Sequence, residues 1–282
     1  NHMPMIPGRP DRRWNEPYME SVGSILTYSN GVHIGNAQWE IMVNGDHITN
    51  AQEEGGSVWP QWVLALPWPG NNSKQIYLYE TQKIDMDVFA DSLKYLIVNM
   101  EDGIGKVSSR DNLLLADTLS VGKINAIKHA NGRDWWVLIN EKNSNRFYRL
   151  LIDPIGVQLI GSQVVGVPVV DGAGQACISP DGTHYCIYGT VSSTQGAYLN
   201  LYDFDRCTGL LSNHQQYHFI SNGWGGCSFS PNSRFLYVNY FTKAYQYDLE
   251  APDVWASRIQ VALYDGFLDP LNTTFYLMQL GP

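Results

Sequence analysis

Charge is what this sequence has least of. Asp, Glu, Lys and Arg make up 16% of its 282 residues, against roughly 25% in an average globular domain. The 18 Lys+Arg are outnumbered by 27 Asp+Glu, for a net charge of −9. They form no basic cluster, and a phosphate backbone needs one, so a nucleic-acid partner is excluded. No run approaches the ~18 uninterrupted apolar residues of a spanning helix, so membrane insertion is not expected. Neither a His-Glu-x-x-His nor a Cys-x-x-Cys spacing occurs among the 7 His and 4 Cys, so no metal is expected. A Gly-x-Ser-x-Gly elbow, a phosphate loop and a dinucleotide fingerprint are also missing. The sequence therefore points to no catalytic residue and no cofactor.

Aromatic residues take the place of charge: 9 Trp, 17 Tyr and 9 Phe, beside 26 Gly and 14 Pro. Such a chain reads as short strands joined by tight turns, and 44% apolar residues supply a core too large for disorder. The middle of the chain repeats. Residues 177–188 read CISPDGTHYCIY, residues 227–238 read CSFSPNSRFLYV, and a looser copy at 127–138 reads IKHANGRDWWVL. Each is apolar alternation, a turn, then a second apolar run. Proline presets φ, Asp181 or Asn232 bonds the backbone, and Gly182 accepts a positive φ. The turns recur at Asn131, Asp181 and Asn232, spacings of 50 and 51 residues, with a fourth candidate at Pro270-Leu271-Asn272. Each copy continues to a strand ending in acid (YRLLID, LNLYDFD, AYQYDLE) and then a fourth short strand.

Four antiparallel strands per ~50 residues is the unit of a β-propeller blade. The expected fold is an all-β propeller of about five to six four-stranded blades over residues 23–282, with the ring incomplete at the C-terminal end. Residues 1–22, beginning with Asn1-His2-Met3 of cloning-linker character and without a signal peptide, are expected as an irregular lead-in. An open ring would expose a sheet face and favour self-association.

The runs KHANGRDWWVL, SNRFYRLLIDPIGV, GQACISPDGTHY, YDFDRCTGLLSN, SPNSRFLYV and YDGFLDPLNTTFYLMQL resemble the WD-repeat-like propeller region of large secreted Bacteroidetes proteins. Those proteins carry type IX secretion sorting domains or gliding-motility-associated tails. The resemblance covers residues 24–282 and implies an extracellular or cell-surface address.

In a propeller, ligands meet the loops that lead into the innermost strands. Those loops supply the candidate ligand-binding residues: Trp59, Gln61, Lys123, Asn125, Asp171, Gln175, Trp224 and Asp265. Rings beside amides and carboxylates suit a glycan or a protein ligand, although Gly and Trp also serve blade packing. The Trp59, Trp62 and Trp68 group reads mainly as blade-to-blade core. Trp135 and Trp136, on consecutive strand positions, must face opposite sides of one sheet. Asp85 and Asp87 read as a solvated strand edge, with calcium or acid–base use as the alternative. Cys177 is expected opposite Tyr185, close to Cys186 but unbonded, and Cys207 in a distant turn. The favoured reading is a non-catalytic recognition module. A propeller hydrolase or lyase acting on a polysaccharide, using Asp171 or Asp265, and a purely structural subunit are the alternatives.

Overall fold

The computed structural model describes residues 16–19, 25–49, 61–84, 88–192, 196–220, 224–267 and 275–280. They form a β-propeller of five antiparallel sheets. The first has three strands, β1 (Glu16–Met19), β2 (Ile25–Ser29) and β3 (Ile34–Asn36). The second runs β4 (Val63–Pro67), β5 (Lys74–Ile84), β6 (Val88–Asn99), β7 (Lys106–Leu119). The third is β8 (Asn125–Lys128), β9 (Trp135–Asn140), β10 (Arg146–Ile152), β11 (Val157–Val164). The fourth is β12 (Ala173–Ile178), β13 (His184–Ser192), β14 (Gly196–Asp205), β15 (Leu210–Phe219). The fifth is β16 (Gly225–Phe229), β17 (Phe235–Tyr240), β18 (Lys243–Asp248), β19 (Ile259–Leu263). Within the expected lead-in of residues 1–22, Glu16–Met19 is a strand paired with β2, and residues 1–15 lie outside the described residues. Pro17 is tolerated there because β1 is an edge strand, which need not donate on both sides.

The last strand of each four-stranded sheet is its most exposed. Gly174, Gln175 and Ala176 of β12 and Gly225, Gly226 and Cys227 of β16 are buried, whereas β19 exposes Ile259, Val261 and Leu263. The first strands β8, β12 and β16 lie beside one another at the centre. Period-2 alternation sends successive side chains into different interfaces. Val137 and Ile139 of β9 pack with Leu66, Ile76 and Leu78 of the second sheet. Trp136 and Leu138 pack with Tyr185, Ile187 and Tyr202 of the fourth. The two tryptophans part as expected: Trp135 Nε1 donates to the Pro67 carbonyl (3.1 Å) and Trp136 Nε1 to that of Arg206 (2.9 Å). Trp62 and Trp68 are core between sheets, and Trp59 lies outside the described residues.

One turn is built three times. The Ser179 N–H donates to the His184 carbonyl (2.9 Å) and Gly182 N–H to that of Ser179 (2.8 Å). Ser230, Phe235 and Ser233 repeat the pattern, as do His129, Asp134 and Gly132. The residue needing positive φ is Gly132 (74°), Gly182 (72°) or Ser233 (61°). The acids ending each third strand also have a local task, since the carboxylates of Asp153, Asp205 and Asp248 accept N–H groups of the turns they begin.

The turn corrects one expectation. Cys177 pairs with Cys186 and Ile178 with Tyr185, rather than Cys177 with Tyr185. The Ser179 hydroxyl accepts the N–H groups of Thr183 (3.1 Å) and His184 (2.9 Å). This closes a four-residue loop in place of a three-residue loop with a bulge. The strand-like run at residues 274–278 also differs. Phe275 makes an isolated bridge to Phe241, and residues 276–280 pair with no strand among the described residues. The turn at Pro270-Leu271-Asn272 and the Asp85–Asp87 pair lie outside the described residues. Among the described residues no helix is long and apolar enough to cross a membrane.

Candidate functional site at the channel mouth

Side-chain amides close the axis. Gln61, just before β4, grips one residue of β12 from both sides: its Nε2 donates to the Ala176 carbonyl (2.7 Å) and its Oε1 accepts the Ala176 N–H (2.8 Å). Asn125 of β8 donates to the same carbonyl (2.7 Å). Gln175 repeats the grip on Met278, donating to its carbonyl (2.6 Å) and accepting its N–H (3.0 Å). Gly226 makes that approach possible, because a Cβ there would meet the Gln175 amide and the backbone of Leu277 and Met278. Three candidate ligand groups (Gln61, Asn125, Gln175) thus bind the protein's own backbone.

Beside the axis sits a buried ionic cluster. Lys123, 1% exposed, places its Nζ 3.2 Å from an Asp171 carboxylate oxygen and 2.8 Å from the Gly172 carbonyl. The Ser120 hydroxyl donates to Asp171 and lies 3.1 Å from the ammonium. Glu80, 0% exposed, accepts the Gly122 N–H at 3.0 Å. Burial pushes the Glu80 carboxyl up to about 8, against the pull of the Gly122 N–H and the Lys123 charge. At neutral pH Glu80 is therefore largely protonated, and Lys123 and Asp171 neutralise each other.

This yields a pH dependence with a definite sign. Glu80 binds its proton more tightly folded than unfolded, so its contribution is fully present below about pH 4.5 and is lost as pH rises through about 8. The folded protein should lose on the order of 3 kcal/mol between pH 5 and 8 relative to Glu80→Gln, which cannot titrate. Paired thermal melts of the two proteins across that range check it. A constant difference would show that Glu80 is ionised throughout.

The remaining candidates come together at one end of the fifth sheet. Trp224 is 51% exposed, its ring edge-on to Tyr276 at 5.8 Å between centroids. The Phe241 N–H donates to the Trp224 carbonyl (3.2 Å), and the Tyr264 N–H to that of Thr242 (2.7 Å). The ladder thereby places Trp224 beside Phe241, and Tyr264-Asp265 beyond the β17–β18 hairpin at the far edge of the same end of the sheet. Phe241 turns the β17–β18 hairpin with φ 44°, a left-handed conformation uncommon for a bulky residue, and its ring is exposed, as is Phe267. The Asp265 carboxylate accepts the Phe267 N–H at 3.0 Å and stays in solvent.

The structure thus sorts the predicted residues. Gln61, Asn125 and Gln175 are axial ties, Lys123 and Asp171 are a buried pair, and Trp224 and Asp265 are both exposed at one end of the fifth sheet, beside its first and last strands. Glu80 and Tyr276 were not anticipated. A signal for Glu80 existed, since it continues the inward face of Ile76 and Leu78, where an acid is out of place. Tyr276 had no signal beyond being aromatic. Among the described residues no group of three His, Cys, Asp or Glu side chains is placed to hold a metal ion.

No family model matches the chain and no curated protein matches it in sequence. Solved structures do resemble it. Hydrazine synthase of Kuenenia stuttgartiensis superposes with a TM-score of 0.50 at 14% identity, over 93% of this chain and 72% of that one. A functionally unknown protein from Desulfotomaculum acetoxidans gives 0.48 at 10% identity, covering 95% and 90% of the two chains. An exo-β-1,3-galactanase from Phanerochaete chrysosporium, solved with β-1,3-galactotriose, gives 0.43 at 11% identity over 74% of this chain and about half (51%) of its own. At such identities the likeness is one of fold: this chain is a β-propeller.

Proposed function

We propose that this propeller is a recognition module of an exported or surface-located protein, as in the Bacteroidetes propellers its sequence resembles. Its ligand is a neutral glycan held at the exposed end of the fifth sheet. The observation that carries this reading is the half-exposed Trp224 ring, set edge-on to Tyr276 beside the exposed Phe241, with Asp265 exposed at the same end of the sheet. An indole face stacks on the C–H face of a pyranose, and a carboxylate at the same end of the sheet accepts hydroxyls of a longer glycan. A net charge of −9 disfavours anionic polymers. The buried carboxylates take no part: Glu80 is shielded from any substrate, and Asp171 is bound to Lys123 and Ser120.

An array of neutral oligosaccharides tests the reading, with titration calorimetry on each hit. Trp224→Ala should weaken binding roughly tenfold or more, as loss of an aromatic anchor does, with an unchanged melting temperature. The same incubations report turnover through new reducing ends. Silence across the array, or equal binding by Trp224→Ala, would overturn the assignment. Turnover would replace recognition by hydrolysis.

A further inference from the structure

Three of the four cysteines converge between the fourth and fifth sheets. Cys177 and Cys186 oppose each other across β12 and β13, and Cys227 arrives from β16. The Sγ atoms of Cys177 and Cys227 lie 3.3 Å apart. Cys186 and Cys227 are fully buried, Cys177 is half-buried, and Cys207 is exposed.

We propose that Cys177 and Cys227 are a site of disulfide formation that ties the fourth sheet to the fifth, oxidised by exchange with a small-molecule or protein disulfide. The half-buried Cys177, as thiolate, attacks one sulfur of the external disulfide and releases the other as a thiol. Cys227 then gives up its proton and attacks the Cys177 sulfur, displacing the second external thiol. Two cysteine thiols are oxidised and one external disulfide is reduced to two thiols, so hydrogens and electrons balance.

Geometry selects Cys227 over the nearer neighbour in sequence. Ser179 and His184 form a hydrogen-bonded pair, and the alternation of an antiparallel ladder makes Cys177 and Cys186 one too. In such pairs the Cβ atoms stand toward about 5.5 Å apart, wider than the roughly 3.5–4.5 Å that a disulfide spans. Cys227 instead faces Cys177 across the sheet interface, and closing 3.3 Å to a bond of about 2.05 Å needs only a small shift. Burial raises the thiols of Cys177 and Cys186, which slows exchange once the protein is folded. The bond therefore forms mainly while the sheets dock.

The test is refolding of the reduced full chain in a glutathione redox buffer, followed by intact mass and non-reducing peptide mapping. The expected product has lost two hydrogens, joins the Cys177 and Cys227 peptides, and melts roughly 5–10 °C above the reduced form. Cys186→Ser and Cys207→Ser should keep that mass loss, and Cys227→Ser should abolish it. A fully reduced product, glutathione on Cys207 alone, or a peptide joining Cys177 to Cys186 would each overturn the proposal. Should Cys227→Ser fail to fold, the wild-type peptide map decides alone.

Discussion

Lys123→Met should cost about 3–5 kcal/mol of stability, the range seen when one partner of a buried ion pair is removed. The ammonium bonds Asp171, the Gly172 carbonyl and the Ser120 hydroxyl from a position 1% exposed. Methionine matches its length and removes its charge. Among the described residues Asp171 is then left with Ser120 as its one remaining side-chain donor, in a site closed to most water. Taking away the second charge as well should recover much of the loss, so Lys123→Met/Asp171→Asn is expected to be more stable than Lys123→Met alone. Urea denaturation of the three proteins measures both effects. A single substitution costing less than about 1 kcal/mol would place the pair among ordinary surface bridges.

The second large effect is steric. Gly174 and Gly225 hold equivalent places in β12 and β16, 51 residues apart. A Cβ at Gly174 would overlap the Tyr188 carbonyl oxygen, and one at Gly225 that of Asn239. Both obstacles are backbone atoms of the partner strand, so no rotamer change relieves them. Either alanine should cost roughly 3–5 kcal/mol, at the severe end of single substitutions. Gly189→Ala is the control: its Cβ would come no nearer than 3.4 Å to the Val170 carbonyl, and its expected cost is below about 1 kcal/mol. Equal midpoints for Gly174→Ala and Gly189→Ala in the same denaturation series would refute the assignment of close approach at the axis.

The architecture was legible because its signals are local. Pro180-Asp181-Gly182 and Pro231-Asn232-Ser233 specify turns within four residues, and alternation in Trp135–Asn140 specifies which side each ring takes. The candidate site was only partly legible, because its bonds cross the chain at long range. Lys123 and Asp171 were named as ligand groups at the channel mouth; nothing near either one encodes that they answer each other across 48 residues. Gln61 and Ala176 are 115 apart, and their meeting follows from where whole sheets dock. Trp224 and Asp265 fall at one end because the fifth sheet's own ladder aligns its loops. The Cys177 register was missed by one residue, because a serine hydroxyl in the turn changed the loop length.

The amide grips at the axis bear on how the molecule folds. Each sheet is a meander whose contacts are mostly local, so the sheets alone would behave as nearly independent units that melt one after another. Gln61 to Ala176 and Gln175 to Met278 join residues 115 and 103 apart in sequence. They can form only after the intervening sheets are in place, which assigns them to the late, high-contact-order part of assembly. Once made, they couple distant parts of the ring, because opening the fourth sheet from the centre must break bonds held by Gln61 before the second sheet and by Met278.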